Sequence, residues 1–461
     1  MKSIINRRVF FKVAATGVTG CLVSPMELFP QQRVPTLPPV NVQNTARNVI
    51  FVLLPGGPSH VDTFDLKVGA WTPANFTAST VNGVDWPSGL MPQLAQQLSL
   101  NRVALVRSCQ APALVHNLLQ TWAQIGRNPA SLTGSIAPNV GSVVALEKET
   151  ERLSNQPVPG FLSLNGGTTI AGPGYFPGRF SPFDVAPSAN GIANINPTNV
   201  DLARFNRRYE ILAAADSPHA STSPISRKFE EMSDFYSSAY SMMNDTRVAS
   251  AFRFTANTDG FRYGTGTAQT GFGNACLTAK NVLQANLGVR YIQINLGGWD
   301  NHSNIYAGGA NGQGGIYGPA RQMDAGLANL ISDLAALPGT RGTMLDDTLI
   351  VVRGEFGRTV GPLTGQAGRD HHFTFSTLLA GGGVRGGRAI GSTTTTGAFV
   401  DDPGWSVGRP IYSEDIAATI YSAAGINYRT TRWDDPLLRG FEYVATTATS
   451  YIGEPIDELF R

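Results

Sequence analysis

Asp300-Asn301-His302 is the unit whose residue types and spacing bear most directly on chemistry. In an extended segment, residues i and i+2 point the same way. One carboxylate and one imidazole then reach a single cation together. A second unit, Gly368-Arg369-Asp370-His371-His372, adds a carboxylate and two imidazoles on a glycine-flanked loop. Adjacent side chains diverge, so one of His371 and His372 is expected to bind an ion and the other to contact substrate or to pack. A third, Gly354-Glu355-Phe356-Gly357-Arg358-Thr359, offers Glu355 as ligand or base and Arg358 as a two-pronged donor to an oxyanion. The competing reading of that loop is an internal Glu355–Arg358 ion pair. Gly56-Gly57-Pro58-Ser59-His60-Val61-Asp62-Thr63 supplies Ser59 or Thr63 as nucleophile, and His60 or Asp62 as a further ligand. It lacks the Gly-Lys-Ser/Thr ending of a phosphate-binding P-loop.

The expected metal set is therefore Asp300, His302, Glu355, Asp370, His371 and His372. The expected catalytic set is Ser59, Thr63, Arg358 and His116, the last on a helix that begins near Leu114.

Continuous apolar runs of strand length must position these loops. Asn48–Leu54 ends in Pro-Gly-Gly-Pro, Val103–Val106 in Arg-Ser-Cys, Val289–Leu296 in Gly-Gly-Trp-Asp, and Thr348–Val352 in Arg-Gly-Glu-Phe. Phe375–Ala380 ends in three glycines. Strands apolar on both faces belong inside a parallel sheet covered by helices. Helical patterns over 269–287, 317–337 and 414–424 fit between and after them. The alternation predicts an α/β domain with a doubly wound, mostly parallel sheet, whose ligands bind beyond the carboxyl ends of the strands. Five of the six histidines, His60, His116, His302, His371 and His372, lie in or just after such loops. The sixth, His219, falls in a region of different texture, about 150–257, read as an inserted helical cap.

A formal charge of +2 and the absence of any Lys/Arg run exclude a nucleic-acid-binding stripe. Three cysteines are too few for a disulfide scaffold, and Cys109 and Cys276 either pair or stay as buried thiols. At the start, Arg7-Arg8 followed by apolar residues and Lys12 resembles a twin-arginine export signal over 1–24. Thr19-Gly20-Cys21 resembles a lipobox, which would tether the protein to a membrane by a lipid on Cys21. Residues 25–47 read as a Pro-rich linker and 48–461 as the folded domain. The expected location is periplasmic or lipid-anchored in the cell envelope.

Taken in order, GGPSHVDTFDLK (56–67), VPGFLSL (158–164), GPGYFPG (172–178), RYG (262–264), GGWDNH (297–302), GEFGRT (354–359), GRDHH (368–372) and LLAGGGVRGGRAIG (378–391) resemble the bacterial family of domains of unknown function 1501, which is sulfatase-like. That family is similar to the alkaline phosphatase superfamily. The resemblance implies its α/β sandwich, one or two divalent metals held by Asp and His on strand-end loops, and attack on phosphate or sulfate esters. By position, Asp300, His302 and one of His371 and His372 resemble the ligands of one metal site. Pro55-Gly56-Gly57 replaces the usual aspartate after the first strand, and Glu355-Phe356 replaces an Asp-His pair. The second site is thus left without its usual residues. The resemblance implies an exported metal-dependent hydrolase of small-molecule or glycan esters, with zinc expected first and manganese or calcium as alternatives. The other reading is a non-catalytic exported protein on the same fold, binding a glycan or an envelope partner.

Overall fold

The computed structural model describes residues 40–195, 201–220, 226–308 and 314–461. The signal-like segment 1–24, Cys21 and most of the linker 25–47 lie outside the described residues. The compact unit spans Asn41–Arg461.

Its centre is an eight-stranded sheet. In chain order the strands are β1 (Asn48–Leu53), β2 (Val103–Gln110), β3 (Phe161–Leu164), β4 (Phe183–Val185), β5 (Tyr291–Asn295), β6 (Thr348–Arg353), β7 (Thr374–Ala380) and β8 (Arg388–Ile390). They lie side by side as β8-β2-β7-β6-β1-β5-β3-β4. β1 pairs in parallel with both β5 and β6, which explains why every residue of NVIFVL is buried. Only β7 runs against its neighbours, β2 and β6, so the sheet is mostly parallel, as its sequence predicts.

The principal helices are α1 (Pro92–Ser99), α2 (His116–Ile125), α3 (Val140–Glu147), α4 (Leu202–Ala220), α5 (Ser226–Met243), α6 (Thr246–Ala251), α7 (Gly271–Gln284), α8 (Tyr317–Ala336) and α9 (Ser413–Ala423). Strand alternation divides the core between the two faces of the sheet. Ile50, Val52, Ile292 and Ile294 join one apolar cluster with Leu94 and Leu98 of α1, Leu277 and Val282 of α7, and Met323, Leu327 and Leu330 of α8. Phe51 and Tyr291 point the other way, stacked with ring centroids 6.4 Å apart. There α3 comes so close that a Cβ on its Gly141 would meet the Tyr291 ring at 2.4 Å. Helices thus cover both faces, the doubly wound arrangement.

Two details depart from the sequence reading. β2 continues through Gln110, so Cys109 sits inside the sheet, fully buried against the Thr377 hydroxyl at 3.4 Å. Cys109 and Cys276 are both free and buried. And because β7 is reversed, its glycines 381–383 lie at the amino end of β6, where a Cβ on Gly381 would meet the Thr348 carbonyl. His371 and His372 reach the carboxyl rim by preceding a backward strand, not by following a forward one.

Candidate metal centre

At that rim four side chains converge. One ligand atom each from His116, Asp300, His302 and His371 falls within 4.8 Å of the others. His116 is the first residue of α2, Asp300 and His302 follow β5, and His371 precedes β7. His371 lies in a short antiparallel ladder opposite Arg358, which ties the two ends of the β6–β7 connection together. The Phe356 ring is buried beside the site, with its centroid 4.7 Å from the His116 ring and 4.5 Å from the His371 ring.

Each imidazole has its Nδ1 fixed by an acceptor. His302 Nδ1 donates to Asp370 Oδ1 at 3.0 Å, His371 Nδ1 to the Leu114 carbonyl at 3.1 Å, and His116 Nδ1 to Glu355 Oε1 at 2.6 Å. A neutral imidazole whose Nδ1 carries the hydrogen presents a lone pair on Nε2. All three Nε2 atoms face Asp300 Oδ1, at 2.9 Å from His302, 3.4 Å from His116 and 3.8 Å from His371. The Nε2 atoms of His302 and His371 are only 3.1 Å apart. Two lone pairs at that distance repel unless a proton or a cation lies between them. His116 Nε2 is buried with no hydrogen-bond partner among the described residues.

The donor set therefore fits a divalent ion. Three imidazole nitrogens and one carboxylate oxygen match zinc, whose ligating histidines commonly donate their other N–H to a carboxylate or carbonyl. Calcium takes six to eight oxygens and finds one carboxylate here. Burial would raise the Asp300 carboxyl, but the Arg358 hydrogen bond and charge outweigh it and hold the group below the usual range. The hydrogen bond that His116 donates to Glu355 raises the imidazole, while burial followed by the Arg358 charge lowers His371.

The other candidates take different places. Glu355 is fully buried beneath the cluster, where Oε1 collects His116 Nδ1, the Gly56 N–H at 2.9 Å and Gln120 Nε2 at 3.1 Å. Asp370 is exposed and braces His302 from outside. Both orient imidazoles where direct ligation was expected. His372 accepts the Thr374 N–H at 3.1 Å and faces His60, outside the cluster. His60 is buried and bonded to the Gly397 carbonyl, and burial pushes it down to about 4.

The expected nucleophiles are closed into their own loop. Ser59 Oγ donates to Asp62 Oδ2 at 2.6 Å and Thr63 Oγ1 to the Ser59 carbonyl at 2.7 Å, both side chains buried. Asp62 is no ligand either, being paired with Arg369 at 2.8 Å. Arg358 is buried, and its five N–H groups meet the Gly57 carbonyl at 2.9 Å, the Gly56 carbonyl, Asp300 Oδ1 at 2.5 Å, the Arg369 carbonyl at 3.1 Å and, weakly, His302 Nε2 at 3.4 Å. A guanidinium has five donors, so no two-pronged fork is left for an oxyanion. It does not pair with Glu355 in place of that; its carboxylate partner is Asp300. Gln120 and Arg369 escaped the sequence reading. Gln120, one helical turn beyond His116, carried a faint signal in that spacing.

Fold and rim together define the class: an α/β protein with a mostly parallel sheet and a three-histidine, one-aspartate cluster at the strands' carboxyl ends. The chain belongs to the family described as "Protein of unknown function (DUF1501)", whose model matches residues 46–435. No curated protein matches it in sequence. Similar solved structures include Ps i-CgsB in complex with k-i-k-neocarrahexaose, at 11% identity and TM-score 0.40, covering 88% of this chain and 75% of that one. The lipoteichoic acid synthase LtaP from Listeria monocytogenes has 11% identity and TM-score 0.36, with 88% and 78% covered. The phosphonate monoester hydrolase from Silicibacter pomeroyi has 11% identity and TM-score 0.36, with 82% and 73% covered.

Proposed function

We propose that the protein is a metal-dependent hydrolase of phosphate or sulfate esters, acting on small-molecule or glycan substrates after export by the twin-arginine route. The observation that carries the metal reading is the 3.1 Å approach of His302 Nε2 to His371 Nε2 while both Nδ1 atoms are held as donors. His116, Asp300, His302 and His371 would hold the ion, with zinc favoured by the donor set and manganese next. When bound, the ion supplies Lewis-acid polarisation of an ester oxygen. The chain's own groups do the rest. Asp370, Glu355 and the Leu114 carbonyl fix the imidazole tautomers, and Arg358 holds the Asp300 carboxylate. With Ser59 and Thr63 committed to their loop, solvent is the nucleophile in this reading.

That same commitment favours a second reading, a non-catalytic binding protein for a glycan or an envelope partner. Metal analysis of protein purified without chelator, followed by assays on a panel of aryl phosphate, phosphodiester and sulfate esters, separates the two. The hydrolase reading expects near-stoichiometric metal and turnover, both lost in His302→Ala with the circular dichroism unchanged. Metal without turnover would leave the binding reading. Metal content and turnover that survive His302→Ala would sink the site assignment itself.

A further inference from the structure

We infer that the buried ion pair Arg369–Asp62 is the positioning device of the metal centre, locking together the loops that carry three of its four candidate ligands, Asp300, His302 and His371. This rests on the metal-binding reading above. Both side chains are wholly buried, with Arg369 Nε donating to Asp62 Oδ2 at 2.8 Å and Nη2 reaching Oδ1 at 3.5 Å. Asp62 belongs to the loop after β1 and also accepts Ser59 Oγ at 2.6 Å and the Tyr306 hydroxyl at 2.6 Å. Arg369 Nη1 donates to the carbonyls of Thr359 and Gly361, at 2.7 and 2.9 Å, in the loop after β6. Its Nη2 meets the Tyr306 hydroxyl at 3.3 Å, in the loop after β5.

The backbone of the same residue closes the circuit. Arg369 N–H donates at 3.0 Å to the carbonyl of Asn301, the residue between Asp300 and His302. The Arg369 carbonyl accepts from Arg358 Nη1 at 3.1 Å, and Arg358 holds Asp300. His371 follows two residues on. The side chain and backbone of one residue thus connect three loops of the rim, those after β1, after β5 and between β6 and β7, and the last two bear Asp300, His302 and His371.

The choice of an ion pair is informative. Well-packed apolar residues often match or exceed a buried pair in stability, so stability alone does not call for it. What the pair adds is direction: the guanidinium fork fixes Asp62 and two carbonyls at set angles. A metal centre needs ligands held within a few tenths of an ångström, and outer supports are commonly worth 10–100-fold in metal affinity. Arg369 is a positioning residue that touches no reacting atom.

The test uses the full-length protein with cobalt(II) as probe, because its visible absorption reports ligand geometry independently of turnover. Wild type is expected to take up cobalt with the strong absorption of a four-coordinate site. Tyr306→Phe removes one hydroxyl without stranding a charge, and should bind cobalt about 10-fold more weakly. Asp62→Asn should weaken binding further and reduce or shift the absorption bands. If Asp62→Asn does not fold, Tyr306→Phe alone decides. Wild-type cobalt affinity and spectrum in a folded Tyr306→Phe or Asp62→Asn protein would overturn the positioning role while leaving the metal centre standing. Failure of wild type to bind cobalt would overturn the metal reading and this inference with it.

Discussion

At the residue scale the centre depends on what stands behind the imidazoles. Glu355 Oε1 gathers three donors, one of them His116 Nδ1 at 2.6 Å, and that bond is the main cause of the raised His116. Glu355→Gln keeps an acceptor but removes the charge, turning a charge-assisted bond into a neutral one about half as strong. Zinc affinity, measured by competition with a chelating dye, is expected to fall about 10-fold with the fold retained. An unchanged affinity would mean that Glu355 only fills space. The meeting of Asp300 and His302 was legible in the sequence because their spacing is itself geometric information, and one of the two adjacent histidines, His371, joins them. The place of His116 in the cluster was not legible, since a lone histidine at a helix start has no partner at a fixed offset. Ser59 and Thr63 misled for a related reason: a polar loop after a strand looks the same whether its hydroxyls face the cleft or are buried in the loop's own bonds. Only burial separates the two cases, and burial is a property of the fold.

At the element scale, close approach of the loop after β1 to the loop after β5 sets the site. Gly56 has φ +111°, and a Cβ there would lie 2.7 Å from the Asp300 backbone nitrogen. Gly56→Ala therefore adds a backbone collision, beside Asp300, to the cost of a left-handed alanine. Gly408, at φ +69° with nothing within 4 Å, supplies the control. Gly408→Ala should cost about 1 kcal/mol and leave metal content intact. Gly56→Ala should destabilise by more, on the order of 2–4 kcal/mol, and deplete the metal. Equal metal content in the two variants, by elemental analysis, would show that the loop yields without disturbing Asp300. The strands themselves were readable from their apolar runs, because parallel sheet interiors leave no alternation to confuse. The direction of β7 was not: Phe375–Ala380 is apolar whichever way it runs, and its sense is fixed by its pairing with β2 and β6.

At the scale of the whole molecule, the covering helices carry a charged group into the interior. Glu414, at the start of α9, is buried with Trp122 Nε1 donating to it at 2.7 Å, and burial pushes its carboxyl from 4.5 up to about 7. The net charge of +2 gives no hint of this, since composition counts charges without locating them. The carboxyl holds its proton more tightly when folded, so its contribution to stability is full below the unfolded value and is lost as pH rises through the folded one. Each unit of such a shift is worth about 1.4 kcal/mol, giving on the order of 3 kcal/mol between pH 4.5 and 7. Burial acts oppositely on His60, lowered to about 4, which adds stability as pH rises toward 6.5. The wild-type profile alone is therefore a sum of opposed slopes, and the informative quantity is a difference between proteins. Glu414→Gln keeps an acceptor for Trp122 and cannot ionise. Its stability relative to wild type, by urea unfolding, should grow as pH is raised from 5 to 8. A difference that stays flat across that window would place the Glu414 carboxyl at its ordinary value, and with it would fall the claim that the helical cover keeps water from this end of α9.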